Sequence, residues 1–574
     1  MSTTTDAAHS QLGLRRSLTA ALDFAVASHR RALALLVVFS LCAFLPGFFQ
    51  IPAVDRDEAR FAQATKQMLE ARDYVDIRFQ NEVRYKKPVG IYWLQAAAVK
   101  AGEALGVPRA RTTIWLYRLP SLFGAIGAVL LTYWAALAFV PRRAAVIAAL
   151  MMASSVMLGV EARLAKTDAM LLLTSVAAMG ALARIYLASR SELEAKAGWI
   201  EPAILWTAIA AGVLLKGPLV PMFVGLAIIV LSVVDKSARW LWLLRPVAGV
   251  IWLLVLVSPW FVAIIAKSGA SFFVQAIGHD MLDKVASGQE AHGAPPGYYF
   301  LLFWVTFWPG AVLAGLAAPI VWKFRHEPRT RFLLAWLLPS WLVFEVVITK
   351  LPHYVLPLYP AIAIMIAGML ESYGLTKQRW MVRGTIGWFL LPGAIAIATV
   401  VLFIVFGREL GLIAWPFAAL AVIFGLFAWW LYEVDGAELS LLRGMIASVF
   451  VAITVYAVTF PLLPTLFPSA LIAQEIKASD CARPHVASTF AYQEPSLVFL
   501  LGTETRFTDG ASAADFLRAG PCQFALIDPR GERGFAQRAE TIGLRYSLVG
   551  RIEGYNISIG KPVSLSVFRS QAGS

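Results

Sequence analysis

The sequence predicts a polytopic α-helical membrane protein with a small α/β domain at its C-terminal end. Hydrophobic residues make up 59% of its 574 residues, charged residues make up only 15%, and the mean hydropathy is +0.67. Soluble domains are about 45–50% apolar and about 25% charged, so the surplus apolar residues must face a lipid bilayer. By contrast, residues 468–574 have ordinary polarity and are numerous enough to fold as a separate domain.

Apolar stretches long enough to cross about 30 Å of hydrocarbon recur along most of the chain. We predict about 13 membrane helices, at residues 32–50, 118–140, 143–160, 168–188, 200–215, 218–234, 240–266, 298–322, 332–348, 354–372, 385–406, 411–431 and 442–463. The polar residues 1–31 precede the first stretch, which is not the pattern of a cleavable signal peptide. The first stretch is therefore expected to remain as a membrane anchor, and residues 32–467 are expected to form the membrane domain.

Positive residues orient the chain. Lys and Arg predominate in alternate short loops, such as Arg142-Arg143, and such loops stay in the cytoplasm. This pattern predicts a cytoplasmic N-terminal segment, with residues 51–117, 267–297 and 468–574 on the outer side. The net charge of +14 agrees with these loops, and no nucleic-acid-binding motif accompanies it.

The outer regions carry their own secondary-structure signals. Residues 51–117 contain two apparent amphipathic helices, Glu58–Glu70 and Ile91–Leu105. In the C-terminal region, strand-like segments at 497–501, 524–527 and 564–568 alternate with helix-like segments at 513–518 and 535–544. Cys481 and Cys522 could form a disulfide in an oxidising compartment, but two unpaired cysteines agree equally well with the sequence.

Polar residues near the ends of the apolar stretches collect on the predicted outer side. Ionisable groups at membrane depth are costly, so they indicate function. A group rich in cations with a few carboxylates suits a phosphate-bearing ligand and a proton acceptor. The group comprises Asp55, Asp57, Glu58, Arg84, Lys86, Lys87, Arg163, Lys166, Asp168, Lys216, His279, Asp280, His292, Lys350, His353 and Tyr354.

Three carboxylates in this group have alternative interpretations. Asp55 opens the segment Asp55-Arg56-Asp57-Glu58-Ala59-Arg60 and is our candidate for the catalytic carboxylate. Asp57 and Glu58 could instead cap the helix that follows, and Asp168 could cap the helix that it precedes.

The basic motifs also have structural alternatives. In Arg84-Tyr85-Lys86-Lys87-Pro88 one lysine should face a ligand and the other solvent, although both could anchor lipid headgroups. Lys216-Gly217-Pro218 places one cation in a turn, and the proline-rich segment from Lys350 to Pro360 could simply start a kinked helix.

Together these motifs resemble the bacterial aminoarabinose transferase family of lipid A modification. More distantly they resemble the protein O-mannosyltransferases, and all of these are lipid-linked-sugar glycosyltransferases of the GT-C fold. The resemblance covers roughly residues 30–372 and is carried, in order, by Asp55 through Arg60, Tyr85-Lys86-Lys87-Pro88 with Tyr92-Trp93, Arg163 with Thr167-Asp168, Lys216-Gly217-Pro218, His292 with Pro295, and Lys350, Tyr354, Pro357 and Tyr359-Pro360.

The resemblance implies a multi-pass protein of the bacterial inner membrane with a cavity open to the periplasm. There it would transfer a sugar from an undecaprenyl-phosphate-linked donor to lipid A or lipopolysaccharide, with inversion. Asp55 and Asp168 would be the catalytic carboxylates. The donor would be bound by Arg84, Tyr85, Lys86, Lys87, Lys216, Lys350 and Tyr354, and the supporting residues would be Asp57, Glu58, Arg60, Arg163, His353 and Tyr359.

A metal ion is a possible cofactor. His279, Asp280 and His292 could bind a divalent cation, but their spacing matches no zinc pattern. Lys86 stands where some members of the family have a glutamate that is a metal-ligand candidate, and a protonated lysine cannot replace that ligand. Lys86 could instead supply positive charge itself, for example toward a uronic acid donor.

Two other functions remain open. One is transfer to Ser or Thr of a protein, as the distant resemblance to mannosyltransferases implies. The other is transport of a lipid or solute. Transporters commonly bind their substrates near the bilayer midplane and between internal repeats, whereas here the charges collect on one face and no repeat is evident.

Overall fold

The computed structural model describes residues 16–190, 198–269, 271–274, 293–481 and 483–571. Over these residues the chain forms a helical bundle followed by a mixed α/β domain. The bundle helices are α1 (His29–Phe44), α2 (Asp57–Ala71), α3 (Gly90–Ala104), α4 (Ile114–Ala136), α5 (Arg142–Ser154), α6 (Val156–Glu161), α7 (Asp168–Ala188), α8 (Ile200–Lys216), α9 (Leu219–Val234), α10 (Pro246–Ser268), α11 (Ser271–Phe273), α12 (Tyr298–Thr306), α13 (Ala311–Lys323), α14 (Pro328–Val346), α15 (Tyr359–Ser372), α16 (Arg379–Val382), α17 (Gly387–Leu402), α18 (Trp415–Trp430) and α19 (Tyr432–Ala452).

Seven helical segments among the described residues are long and apolar enough to cross a membrane: Ile114–Ala136, Asp168–Ala188, Pro246–Ser268, Pro352–Ser372, Arg379–Gly407, Leu412–Trp430 and Tyr432–Thr459. The predicted total of about 13 spans stays a prediction. Helices α4 and α7 pack closely at Gly124 of α4. A Cβ atom added to this glycine would lie only 2.8 Å from the backbone nitrogen of Met170 in α7. Small residues at such a contact allow membrane helices to pack backbone against backbone.

Two of the predicted spans are interrupted. Residues 143–160 form α5 and α6, which are separated at Ser155, where the backbone is extended. Residues 298–322 form α12 and α13, and Pro309, which has no N–H, lies in the connection. The two breaks meet, because the N–H of Val156 donates to the carbonyl oxygen of Trp308 at 3.3 Å. This bond uses a backbone donor that the helix break would otherwise leave unpaired.

The segment between α1 and α4 has the two helices that the hydrophobic pattern predicts. The expected Glu58–Glu70 and Ile91–Leu105 correspond to α2 and α3. A short hairpin of β1 (Arg78–Phe79) and β2 (Glu82–Val83) connects them. Residues of α2 also bind the C-terminal domain, since Lys66 Nζ donates to the carbonyl oxygen of Phe499 at 2.9 Å.

The C-terminal domain is a five-stranded sheet with helices on both faces. Its elements are α20 (Pro468–Lys477), β3 (His485–Thr489), α21 (Pro495–Leu501), β4 (Arg506–Thr508), α22 (Gly510–Leu517), β5 (Gln523–Ile527), α23 (Glu532–Thr541), β6 (Tyr546–Asn556) and β7 (Lys561–Ser570). The strand order is β4-β3-β5-β7-β6, with β3 parallel to β4 and β5 and with β7 antiparallel to β5 and β6. A disulfide joins Cys481 to Cys522, whose Cα atoms lie 5.7 Å apart.

One predicted strand is wrong. Residues 497–501 lie in the helix α21, which has Pro495 in its first turn. A short continuous apolar run does not distinguish a buried strand from a buried helix, and a proline is well suited to the start of a helix. The other assignments in this domain are correct: residues 524–527 lie in β5, 564–568 in β7, and the two predicted helices overlap α22 and α23.

Candidate active site

A buried ion pair organises the segment around Asp55–Arg60. Arg118 of α4 donates from Nε to Glu58 Oε1 and from Nη2 to Glu58 Oε2, both at 2.8 Å. Its remaining hydrogens go to the backbone oxygens of Phe48, Ile51 and Pro52, where the chain leaves α1. This arginine therefore attaches the first turn of α2 to the end of the first span.

The same glutamate holds a second loop. The N–H of Ala165 donates to Glu58 Oε1 at 2.9 Å. Gln95 Nε2 donates to the Ala165 oxygen and Ser121 Oγ to the Lys166 oxygen, each at 3.1 Å. These contacts come from α2, α3 and α4, and they fix the loop that leads from α6 into α7.

Five charged or titratable side chains meet at the head of α7, and we call them the α7 cluster: Glu161, Lys166, Asp168, Lys216 and His353. Lys166 Nζ lies 2.9 Å from Glu161 Oε1 and 4.0 Å from Asp168 Oδ2. Lys216 Nζ forms an ion pair with Asp168 Oδ1. His353 lies between the acids, with Nδ1 3.7 Å from Glu161 Oε1 and Nε2 3.6 Å from Asp168 Oδ1.

Helix ends explain why these residues converge. Asp168 is in the first turn of α7 and Lys216 in the last turn of α8, so each charge is complementary to its helix dipole. Gly217 follows with φ of 66°, which lets the chain turn immediately after Lys216. Asp168 does more than cap α7, because its carboxylate also forms an ion pair with Lys216.

Two predicted residues lie at the edge of the α7 cluster. Lys87 interacts electrostatically with His353, and Asp57 interacts with Lys166. Asp57 is exposed. Of the paired lysines, Lys86 is exposed and Lys87 is half-buried, with its ammonium group 2.9 Å from the carbonyl oxygen of Lys86. This division agrees with the alternation that the sequence predicts.

The ring of Tyr354 lies beneath Lys216, whose Nζ is 5.3 Å from the ring centroid. An aromatic face attracts a cation at this distance. The structure thus brings Asp57, Lys87, Lys166, Asp168, Lys216, His353 and Tyr354 of the predicted set to one place.

Asp55 lies elsewhere, at the interface with the C-terminal domain. Burial, and to a smaller extent the negative charge of Glu494, raise the pKa of its carboxyl group to about 7, while Ser496 and Arg56 oppose the shift. Its Oδ1 is buried and has no hydrogen-bond partner among the described residues. Between Asp55 and Asp57, Arg56 has φ of 62° and ψ of −109°, an unusual conformation for a residue with a side chain.

Two of the predicted cations bind backbone carbonyl groups. Lys350 Nζ donates to the oxygens of Glu345 and Val347, at 3.0 and 2.5 Å, and so completes the end of α14. Arg163 donates to carbonyl groups at the end of α1 and in α6, and its guanidinium lies 4.2 Å from the ring centroid of Tyr456. These contacts support the fold around the site.

The remaining predicted residues are also held by neighbours. Tyr85 is buried and donates to Asp76 Oδ1 at 2.8 Å. Arg84 lies over Phe61, 5.3 Å from the ring centroid. Tyr359 shares a 2.5 Å hydrogen bond with Thr306, and Arg60 is half-buried in α2.

A divalent metal fits the α7 cluster poorly. Ligand atoms of Glu161, Asp168 and His353 lie within 4.8 Å of one another, which is close enough to hold an ion. However, the ammonium groups of Lys166 and Lys216 pair with the two carboxylates and would repel a cation. The other candidate ligands, His279, Asp280 and His292, lie outside the described residues.

Four residues of these sites were not among those predicted from the sequence: Glu161, Arg118, Glu494 and Ser496. The first two could have been found, since an acid at the end of a predicted span and an arginine at the start of another are both unusual at membrane depth. The last two could not, because they contact Asp55 only through folding of a domain more than four hundred residues away.

Known proteins share both the sequence pattern and this architecture. Residues 34–269 match the family model for dolichyl-phosphate-mannose-protein mannosyltransferase. The undecaprenyl phosphate-alpha-4-amino-4-deoxy-L-arabinose arabinosyl transferase of Enterobacter sp. (strain 638) is 28% identical over 375 residues, covering 62% of this chain and 63% of that protein. The protein of the same name from Erwinia tasmaniensis is 27% identical over 326 residues, covering 54% of each. The chain thus matches less than two thirds of the length of these relatives.

The structural similarity extends over almost the whole chain. The crystal structure of ArnT from Cupriavidus metallidurans bound to undecaprenyl phosphate has a TM-score of 0.73 and 18% sequence identity, and the match covers 93% of this chain and 97% of that one. The apo structure of the same protein has a TM-score of 0.71 at 17% identity and covers 94% and 96%.

The fold is that of the GT-C membrane glycosyltransferases, with the small α/β domain that the sequence predicts. The sequence is also similar to those of the aminoarabinose transferases, which confirms the resemblance found in its motifs.

Proposed function

We propose that this protein transfers a sugar from an undecaprenyl-phosphate-linked donor to lipid A or lipopolysaccharide. The α7 cluster carries the proposal, because it joins cations and carboxylates at one end of a membrane bundle. The names of the curated relatives support the donor and the activity, and the ArnT structure contains undecaprenyl phosphate. The acceptor is inferred from the resemblance to the family.

In the proposed reaction the bond between the sugar and the phosphate breaks, and negative charge develops on the departing polyprenyl phosphate. Positive groups placed beforehand at that position stabilise the transition state. Lys87 and Lys216 are the cations we assign to this role. Asp168 orients Lys216 through their ion pair, and Lys166 is oriented in the same way by Glu161.

We assign to Asp57 the role of the general base that acts on the acceptor hydroxyl group. This carboxylate is exposed on the first turn of α2 and interacts with Lys166, so it can take a proton from an attacking hydroxyl group. Attack on the anomeric carbon from the side opposite the phosphate inverts that carbon in a single displacement. Asp55, the candidate from the sequence, lies against Glu494 and Ser496 of the C-terminal domain and is not a member of the α7 cluster.

We further propose that the protein lies in the bacterial inner membrane, with the N-terminus in the cytoplasm and with the α7 cluster and the C-terminal domain in the periplasm. The distribution of Lys and Arg supports this orientation. The Cys481–Cys522 disulfide supports it independently, because disulfides persist in oxidising compartments.

A second candidate acceptor is Ser or Thr of a protein. The match of residues 34–269 to the protein mannosyltransferase model favours it. Comparing transfer to lipid A with transfer to a Ser- and Thr-containing peptide, using the same donor, separates the two acceptors.

The donor is tested by incubating the purified protein with polyprenyl-phosphate extracts and identifying the bound lipid by mass spectrometry. Wild type is compared with Lys87→Ala, and the exposed neighbour supplies a matched control, Lys86→Ala. We expect a lipid-linked sugar on the wild type and on the control, and its loss from Lys87→Ala. Failure of all three proteins to capture such a lipid, together with movement of a solute across proteoliposomes, would favour a transporter.

A further inference from the structure

The C-terminal domain contains a crevice of about 610 Å³. Tyr492, which follows β3, and Asp528 and Arg530, which follow β5, form one wall. The hairpin of β6 and β7 forms the other wall, with Ile559 and Lys561. We call this space the C-terminal crevice. Its volume suits a ligand the size of one or two sugar rings.

The crevice lies where the sheet topology favours ligand binding. From β3 the chain passes through α21 to β4 on one side, and from β4 it passes through α22 to β5 on the other side of β3. The order of the parallel strands therefore reverses between β3 and β5. In open α/β sheets the loops diverge at the carboxyl ends of two such strands, and ligands bind in the space between them.

The side chains of the crevice suit a phosphorylated saccharide. The carboxylate of Asp528, a residue only 8% exposed, is held by the N–H of Arg530 at 3.2 Å, and its backbone N–H donates to Thr489 Oγ1. A fixed carboxylate accepts hydrogen bonds from sugar hydroxyl groups. Arg530 and Lys561 are exposed cations that can bind phosphate, while Ile559, which is 43% exposed, supplies apolar surface for a sugar ring.

The crevice is close enough to the membrane domain to bind the headgroup of a membrane lipid. The hairpin that forms its second wall contacts the end of a span, since the rings of Tyr555 and Phe406 lie 5.1 Å apart. The tip of the hairpin exposes Ile557 and Ile559, at 52% and 43%. Exposed isoleucines next to the end of a span are expected at a lipid surface.

Hydrogen bonds connect the crevice to the membrane domain. The hydroxyl groups of Tyr492 and Ser469 lie 2.7 Å apart, and Ser496 Oγ donates to Ser469 Oγ at 2.6 Å. Ser496 in turn lies close enough to Asp55, which precedes the first turn of α2, to lower the pKa of its carboxyl group. Tyr492, which borders the crevice, is thus linked through Ser469 and Ser496 to the segment that carries Asp57.

We propose that the C-terminal crevice binds the phosphorylated saccharide headgroup of the lipid acceptor. This inference rests on the proposed function, which supplies an acceptor of that chemistry. Arg530 and Lys561 bind the headgroup phosphate, Asp528 binds sugar hydroxyl groups, and the hairpin tip lies among the acyl chains. The crevice would then hold the acceptor at the membrane surface beside α2.

The test measures binding to the full chain in phosphatidylcholine nanodiscs. The probes are lipid A, dephosphorylated lipid A and soluble glucosamine 1-phosphate, with undecaprenyl phosphate measured in parallel. The variant is Arg530→Gln with Lys561→Gln. Its matched control is Arg518→Gln with Arg545→Gln, which removes two exposed cations of the same domain from outside the crevice. The thermal midpoint of each variant verifies that it folds.

We expect the crevice variant to bind lipid A about tenfold more weakly than wild type, whereas the control binds normally. Dephosphorylated lipid A should bind weakly to every protein. Equal binding of lipid A by wild type and the folded crevice variant would overturn the proposal. Binding of glucosamine 1-phosphate that depends on Arg530 and Lys561, without binding of lipid A, would overturn the lipid acceptor and retain a free sugar phosphate as the ligand.

The two proposals fail in different ways. If wild type binds lipid A through the crevice but does not bind undecaprenyl phosphate, the proposed donor is wrong and the crevice assignment stands. If wild type binds undecaprenyl phosphate normally and the crevice variant binds lipid A as tightly as wild type does, the crevice assignment is wrong and the donor assignment stands.

Discussion

Arg118 and Glu58 form a two-point ion pair in which both side chains are 1% exposed. Glu58 also accepts the N–H groups of Val54 and Ala165, so this one carboxylate joins the end of α1, the first turn of α2 and the loop before α7. That loop carries Lys166 and leads to Asp168. The geometry of the α7 cluster therefore depends on Glu58, which is not one of its members.

The first prediction concerns this ion pair. Replacing one member leaves the other charged and buried, which costs about 3–5 kcal/mol. Glu58→Gln should therefore lower the thermal midpoint of the purified protein strongly. The exposed acid Glu540 provides a control, since Glu540→Gln should leave the midpoint unchanged. A Glu58→Gln protein as stable as the control would show that the ion pair does not hold the segment.

The second prediction separates the two aspartates of the Asp55–Arg60 segment. Asp57→Asn should lower kcat about 10²- to 10⁴-fold, which is the usual contribution of a general base, and should leave donor binding intact. Asp55→Asn should have a smaller effect, because Asp55 lies against the C-terminal domain. The measurement is sugar transfer at saturating donor. The opposite order of effects would restore Asp55 as the catalytic carboxylate.

These aspartates show how far the sequence could predict the site. The motif order singled out residues 55–60, and span prediction placed them after the first membrane helix, where the structure has them following α1. The direction of each side chain depends on the backbone of Arg56 and on a domain that begins more than four hundred residues later. Neither periodicity nor motif order contains that information.

The same limit applies to the cations. Lys216 and Lys350 both follow apolar stretches and look equivalent in sequence. In the structure Lys216 pairs with Asp168, whereas Lys350 binds the carbonyl groups at the end of its own helix. The bundle itself was predictable because apolar length is a local property. The partner of each polar group is set by packing between distant helices.

The third prediction is a pH dependence of stability caused by Asp55. The folded protein raises the pKa of this carboxyl group from 3.8 to about 7, so the fold favours its protonated form. The associated stability is complete below pH 3.8 and declines as the pH rises toward 7, because the unfolded chain loses the proton first. Asp55→Asn keeps the side chain uncharged throughout.

We therefore expect Asp55→Asn to equal wild type in thermal midpoint near pH 4 and to exceed it increasingly up to about pH 8. Glu494→Gln should reduce the difference, since it removes the negative charge that helps to raise the pKa of Asp55. A constant difference between Asp55→Asn and wild type across this range would mean that the carboxyl group titrates normally.

The fourth prediction distinguishes structure from chemistry at Lys216. Lys216→Met leaves Asp168 charged and buried without its main ion-pair partner, so both stability and transfer should fall. Adding Asp168→Asn removes that charge and should restore much of the stability. Transfer should remain low in the double variant, because the cation near the phosphate is still missing. Recovery of transfer together with stability would make Lys216 purely structural.

The last prediction concerns metal ions. The carboxylates of Glu161 and Asp168 already pair with ammonium groups, so we expect the lysines to supply the positive charge that a metal would otherwise provide. Transfer should persist after treatment with a chelator, with metal content followed by elemental analysis. Loss of transfer on chelation, its restoration by one divalent cation and the same loss in His292→Ala would instead assign a metal to His279, Asp280 and His292. If chelation abolishes transfer, a divalent cation restores it and His292→Ala behaves like wild type, the metal is assigned to the α7 cluster. The lysines would then have to move when the metal binds.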